Sequence, residues 1–261
     1  MSDTVSKRIG ESISRLLGAD YDAEAVDESA GGKAQRERLN QRLVALEMRR
    51  QANIEAVVAM AYAVAGDDAI EGPAPDVEDD WLARFVGHAQ DVGNPVMQTV
   101  WGEALAHQTA NPGSFSLRTL DVLAGMTGDD WGTWKRACRL NFPTGYLLKL
   151  GRRAEFDEFE LTRDDIQRLQ TLELVQETDD LSVTFYAPTK GLTFDFIGAN
   201  LIVRHPESTL FTLPAFRITG AAREIFRHLG ADDADMEYLQ ALGESLKADG
   251  FDFRLRPAAR S

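Results

Sequence analysis

The sequence predicts an α+β protein with an N-terminal all-helical domain and a small C-terminal α+β domain that could be a modified winged helix. Apolar residues recur at helical spacing from residue 33 to 142. Short runs rich in β-branched and aromatic residues, bounded by glycine and proline, follow within residues 143–261. Residues 1–32 are expected to form a weakly ordered segment, because a short amphipathic stripe there leads into an acidic, glycine-containing stretch.

One long helix is predicted from Lys33 to about Ala65. Its candidate inward positions alternate in steps of four and three, which is the heptad spacing of a coiled coil. The first half, up to Asn53, has six basic residues against two acidic ones, whereas the second half is apolar nearly all round, as in a helix buried by others. We therefore expect a basic arm that protrudes from a helical core and pairs with itself or with a partner; an ordinary surface helix is the alternative. The candidate self-association residues are Leu39, Leu43, Leu46, Arg50 and Asn53.

Four shorter helices are predicted after glycine and proline residues break the long one. Asp76 is expected to cap the first, and Asn94 followed by a proline to start the second, because asparagine caps well and proline suits the first helical position. Ser116 is expected to cap the third, and the fourth begins at a motif similar to a capping box formed by Thr127 and Asp130. The aromatic residues expected in the core of these helices are Trp81, Phe85, Trp101 and Phe115.

The C-terminal half is expected to begin at a boundary in residues 142–145, where a proline and a glycine interrupt the pattern. Thr162 is predicted to cap a helix over residues 163–174, and Thr219 a second helix that Gly230 closes. The remaining predicted elements are a helix over residues 234–247 and strands over residues 181–186, 192–197, 201–204, 210–213 and 251–255.

The charge balance argues against a general nucleic-acid-binding protein. The formal net charge is −14, and a division at residue 140 leaves −8 before it and −6 after it. Neither half has the basic surplus that supplies most of the non-specific affinity for nucleic acids. Nucleic acid therefore stays a candidate partner only through local basic patches.

The sequence contains no recognisable catalytic or metal-binding constellation. The single cysteine, Cys138, excludes an intramolecular disulfide and a cysteine-rich metal site. It is expected to be a partly buried structural thiol, with a reactive thiol of low pKa as the alternative. No two of the four histidines lie within four residues of each other, so the helical histidine pair of a zinc site is missing. Glu103 and Arg118, each amid apolar neighbours, suggest a structural ion pair between adjacent helices. We expect no enzyme, no cofactor and no metal.

The sequence also lacks the signals of a membrane or secreted protein. The longest apolar run, residues 54–65, is too short to cross a bilayer. The N-terminus lacks the continuous apolar region that a signal peptide needs. These observations predict a cytoplasmic protein without a membrane span.

Several motifs resemble a bacterial family known only as a domain of unknown function. They are Trp81-Leu-Ala-Arg-Phe85, Trp101-Gly-Glu-Ala-Leu-Ala106 and Asn111-Pro-Gly-Ser-Phe-Ser-Leu-Arg-Thr-Leu120. Residues 49–55 and 213–253 resemble the same family, so the resemblance covers about residues 33–255. The Trp-Gly-x-x-Leu-Ala helix is similar to one in alpha-type abortive-infection proteins, which implies a distant tie to phage defence. The resemblance implies no catalytic residues.

Three hypotheses follow from the sequence. The preferred one is a soluble interaction or scaffold protein, connected with phage defence or stress, that forms a homo-oligomer through the long helix or binds an unidentified protein. The alternative is a winged-helix-type nucleic-acid-binding regulator. A third, an enzyme whose site is assembled from distant residues, has no residues to name. Under the second hypothesis, the phosphate contacts would come from Arg36, Arg38, Arg42, Arg49 and Arg50.

Overall fold

Helices form the N-terminal part of the chain and two small antiparallel sheets lie in the C-terminal part, which confirms the α+β prediction. The computed structural model describes residues 5–21, 32–65, 76–142, 144–150, 156–176, 181–230 and 232–258. Its helices are α1 (Val5–Leu17), α2 (Lys33–Ala65), α3 (Asp79–Ala89), α4 (Pro95–Ala110), α5 (Leu117–Ala124), α6 (Gly128–Leu140), α7 (Arg163–Thr171), α8 (Gly220–Leu229) and α9 (Met236–Lys247). Its strands are β1 (Asn141–Phe142), β2 (Tyr146–Leu148), β3 (Ser182–Ala187), β4 (Leu192–Phe196), β5 (Ala199–Arg204), β6 (Thr209–Arg217) and β7 (Asp252–Pro257).

The long helix α2 is attached to the rest of the protein by its second half. Its buried residues are Asn53, Val57 and Ala61, four residues apart on one face that packs mainly against α4. Gly102 on α4 permits this close approach, since a Cβ there would lie 2.9 Å from the backbone nitrogen of Ala61. The prediction that this half is buried all round is wrong: Tyr62 is 77% exposed. Many of its apolar residues are alanines, whose small side chains bury little area even when they face a neighbour.

Side-chain caps fix where most of the following helices begin. Asn94 accepts hydrogen bonds from two backbone N–H groups of the first turn of α4, at 2.9 and 3.3 Å. Thr127 and Asp130 form a complete capping box at the start of α6, as predicted. The predicted cap at Asp76 is wrong, because α3 begins later, after Glu78, whose side chain makes no capping hydrogen bond.

The two sheets pack against each other through phenylalanine rings. The first has the strand order β1-β2-β6-β3 and the second β4-β5-β7, with every neighbouring pair antiparallel. Phe142 and Phe185 of the first sheet lie against Phe194 of the second, with ring centroids 5.4 and 4.9 Å apart. Phe142 also pairs with Tyr146 across the β1–β2 ladder, so the chain folds back on itself at the predicted boundary of residues 142–145.

The buried residues form one core that spans both halves of the chain. The four aromatic residues predicted for the helical core are at most 3% exposed, which confirms that prediction. Helix α8, from the C-terminal half, packs on α4 and α5 of the N-terminal half. The division into domains at residues 32 and 142 stays a prediction. Among the described helices, none has both the length and the apolar character that crossing a membrane requires.

Candidate interaction surface

The first half of α2 extends beyond the helices that hold its second half. Within residues 33–51 of α2 no residue is buried. At a rise of about 1.5 Å per residue this part of the helix is about 28 Å long. The junction lies at Asn53, which is buried and donates from Nδ2 to the carbonyl oxygen of Gln90 at 2.9 Å. Residues 33–51 therefore form the protruding helix that the sequence predicts.

Helix α1 packs along this exposed part of α2. Gly18, in the left-handed region with φ of +65°, ends α1, and a Cβ there would lie 2.4 Å from the Cβ of Ala45. A larger residue at this position would push the two helices apart. Arg49 donates from Nη1 to the carbonyl oxygen of Leu16 at 3.1 Å. We refer to α1 together with residues 33–51 of α2 as the arm.

The arm presents large apolar side chains to solvent from both of its helices. Single exposed apolar residues are common on protein surfaces, but a group of them on one feature marks a candidate contact surface. The exposed fractions are 59% for Ile9, 38% for Ile13 and 49% for Leu16 on α1, and 43% for Leu39, 49% for Leu43, 65% for Val44 and 69% for Met48 on α2.

The structure divides the predicted self-association residues into two groups. Leu39 and Leu43 are exposed and Leu46 is half-buried on the arm. Arg50 and Asn53 belong instead to the junction with the body. The guanidinium of Arg50 pairs with Asp91 at 3.0 Å and with Glu47 at 3.1 Å, and these hydrogen bonds raise the pKa of Arg50.

Sequence reasoning missed two of the most exposed apolar residues of the arm. Val44 and Met48 lie off the heptad track, so a search for that spacing passes over them. No local pattern in the sequence marks these two residues.

The arginines named for nucleic-acid binding also fall into two groups. Arg49 and Arg50 are engaged within the chain as described above. Among the described residues, Arg36, Arg38 and Arg42 have no ion-pair partner, although the Nε atom of Arg42 is enclosed without a hydrogen bond. The arm has nine basic and three acidic residues, a formal charge of +6, on a chain whose net charge is −14. It is thus a basic, partly apolar feature on an acidic protein.

Three other residues singled out in the sequence, Arg118, Glu103 and Cys138, lie outside the arm. Arg118 forms its ion pair with Glu173, so the predicted pairing with Glu103 is wrong. Glu103 is half-buried, and this burial raises the pKa of its carboxyl group although Lys135 and His107 oppose the shift. Cys138 is 2% exposed, and burial raises the pKa of its thiol, which confirms a structural thiol.

Comparison with known proteins gives a family and no further relative. Among curated proteins and among solved structures, none matches this chain. A family model matches residues 37–243, which include most of the exposed half of α2 but not α1. Because this match covers most of the chain, the protein belongs to the family described as a protein of unknown function, DUF2806.

Proposed function

We propose that the protein is a non-catalytic interaction protein that self-associates through the arm. The observation that carries the proposal is the exposure of seven large apolar side chains on the arm. Complete burial of such a side chain contributes about 1.5–3 kcal/mol. A second arm that covers these residues would gain part of that free energy at each contact.

The charge of the arm limits how strong this association can be. Two arms of formal charge +6 repel each other, and the apolar contacts must exceed this repulsion. Added salt screens charges over about 8 Å at physiological ionic strength. Association between arms is therefore expected to strengthen as the salt concentration rises.

Replacement of Leu39 and Leu43 by aspartate tests the proposal. Both leucines are about half exposed, so covering each contributes about 1 kcal/mol, or about 4 kcal/mol for two copies of both. A loss of that size weakens association about 1,000-fold. Sedimentation velocity of the full, untagged chain should show an oligomer for the wild type and a monomer for the double variant.

A matched control places the same charges on exposed apolar residues outside the arm. Val96, 50% exposed on α4, and Leu210, 67% exposed on β6, serve this purpose. The variant with Val96→Asp and Leu210→Asp should keep the wild-type mass. A wild type that is monomeric at high concentration, or an unchanged oligomer after Leu39→Asp with Leu43→Asp, contradicts the proposal.

The alternative function, nucleic-acid binding, is favoured by the arginines of the arm that have no ion-pair partner in the described part of the chain. If Arg36, Arg38 and Arg42 contact phosphates, the logarithm of the binding constant should fall with the logarithm of the salt concentration with a slope of about −2.7. Fluorescence anisotropy with a labelled DNA duplex measures this slope. Salt thus separates the two functions, because it weakens nucleic-acid binding and strengthens association between arms.

The setting we propose is the bacterial cytoplasm, in phage defence or stress. It is supported by the resemblance of the Trp101-Gly-Glu-Ala-Leu-Ala106 helix to one in abortive-infection proteins. Plaque counts on a host with and without the gene test this setting. Equal counts across a broad phage panel would exclude defence and leave the self-association proposal to the sedimentation experiment.

A further inference from the structure

Two histidines from distant parts of the chain meet between α4 and α8. His107 lies in the last turn of α4 and His228 in the last turn of α8. Their ring centroids are 5.6 Å apart, with an angle of 48° between the ring planes. Phe115, 1% exposed, lies with its ring centroid 5.2 Å from that of His228, in an edge-to-face arrangement.

These two imidazoles differ from the other histidines of the chain in their hydrogen bonding. His88 lies 3.2 Å from a carboxylate oxygen of Asp121, and His205 contacts the backbone of a turn at 2.9 Å. Neither His107 nor His228 has a hydrogen-bond partner among the described residues, although both are half-buried. The ring nitrogens of this pair are therefore not committed to another group in the described part of the chain.

The separation of the two ring centres, 5.6 Å, is close to that of two imidazoles bound to one cation. With a zinc–nitrogen bond of about 2.0–2.1 Å and a ring nitrogen about 1.1 Å from the ring centre, each ring centre lies about 3.2 Å from the metal. At a tetrahedral angle the two centres are then about 5.2 Å apart. We propose that His107 and His228 form a two-histidine site for a divalent transition-metal ion such as Zn²⁺ or Ni²⁺.

The surroundings of the pair supply charges of both signs. Glu103, one turn before His107, and Glu224, one turn before His228, favour a cation, whereas Lys135 and Arg227 oppose it. Among the described residues no group of three or more histidine, cysteine or acidic side chains is arranged to hold a metal ion. Two protein ligands are fewer than the three or four of most zinc sites, so water would have to complete the coordination.

Such a site would connect the two halves of the protein, because α4 precedes and α8 follows the first sheet. A metal ion that bridges them stabilises the folded state by mass action, since the unfolded chain does not hold the two imidazoles together. The proposal concerns α4 and α8 and is independent of self-association through the arm.

Isothermal titration of the full, untagged chain with ZnCl2 and with NiCl2 tests the proposal. We expect one ion per chain and a rise in Tm at saturation. His107→Ala and His228→Ala should each weaken binding at least tenfold, whereas His205→Ala, at the residue that follows β5, should leave it unchanged. Binding that survives in both pair variants, or an absence of binding in the wild type, overturns the proposal.

A second measurement does not depend on variants that fold. In a ¹H–¹³C spectrum of the wild type, the four histidines give four Cε1–H signals, one for each ring. Substoichiometric paramagnetic Ni²⁺ should broaden two of them strongly, and His88→Ala and His205→Ala identify the two that remain sharp. Equal broadening of all four signals, or of either control signal alone, contradicts the site.

Discussion

The contact between α6 and α7 provides the sharpest test of what stabilises the junction of the two halves. Asp130 is 4% exposed. One of its carboxylate oxygens accepts hydrogen bonds from the backbone N–H and the hydroxyl of Thr127, at 2.7 and 2.6 Å. The other oxygen accepts from the guanidinium of Arg168 on α7. Asp130 therefore caps its own helix and pairs with the next one.

Asp130→Asn removes the negative charge and retains an oxygen that can still cap the helix. Breaking a fully buried ion pair costs about 3–5 kcal/mol. The side chain of Arg168 is 46% exposed, so water partly replaces the lost partner. We expect a loss of about 2 kcal/mol in the free energy of unfolding, or about 4–8 °C in Tm for a chain of this size.

The matched control is Asp129→Asn, because Asp129 is an exposed neighbour in the same first turn. It removes the same charge near the positive end of the helix dipole, which is worth about 0.5 kcal/mol. Urea unfolding followed by tryptophan fluorescence measures both variants, and a double-mutant cycle with Arg168→Gln isolates the pair. Equal losses for the two aspartates, or a coupling energy near zero, would refute the assignment of stability to this ion pair.

Three further predictions follow from buried groups. Burial alone would raise the pKa of Asp130, but hydrogen bonds from Thr127 and the pairing with Arg168 outweigh it, so the pKa is lowered; the pKa values of Asp121 and Asp165 are lowered for similar reasons. The stability from these carboxylates is complete above the pKa of aspartate in the unfolded chain, about 4, and is lost as the pH falls further, so Tm should fall steeply below about pH 4. Gly102→Val should lower the free energy of unfolding by about 3 kcal/mol, because the new side chain separates α2 from α4. Gly87→Ala is the control: no atom lies within 4 Å of the new Cβ, so it should raise the free energy of unfolding by up to about 1 kcal/mol. A loss of stability in both variants would contradict the conclusion that Gly102 is needed for the close approach of the two helices. The thiol of Cys138 should react with a disulfide reagent only after unfolding, and rapid reaction of the native protein would contradict its burial.

Local signals in the sequence were sufficient to predict most helix starts. Asn94, Ser116, Thr127, Thr162 and Thr219 all cap helices as predicted. A cap is a contact between residues two or three positions apart, so the sequence alone specifies it. Asp76 is the exception, because several acidic residues precede α3 and nothing local selects among them.

Contacts between distant residues could not be predicted in the same way. Arg118 was expected to pair with Glu103, but its partner, Glu173, is 55 positions away in sequence. His107 and His228 are 121 positions apart, and a search for neighbouring histidines excludes them. The packing of α8 on α4 brings this second pair together, and no local pattern encodes that packing.

Two positions of the heptad track of α2 are polar, Arg50 and Asn53, and the structure explains them by contacts within the chain and not by a coiled coil. In a coiled coil, polar residues at inward positions set the register of the partner helices. Here Asn53 donates a hydrogen bond to the carbonyl oxygen of Gln90, and Arg50 pairs with the carboxylate of Asp91. Gln90 and Asp91 both lie in the turn that follows α3. Asn53 and Arg50 lie where α2 leaves the body, so they hold the base of the arm at a fixed position. The apolar residues before them are then exposed because the body ends there. An oligomer formed by the arm should consequently keep its mass after Asn53→Ala, while its unfolding midpoint falls.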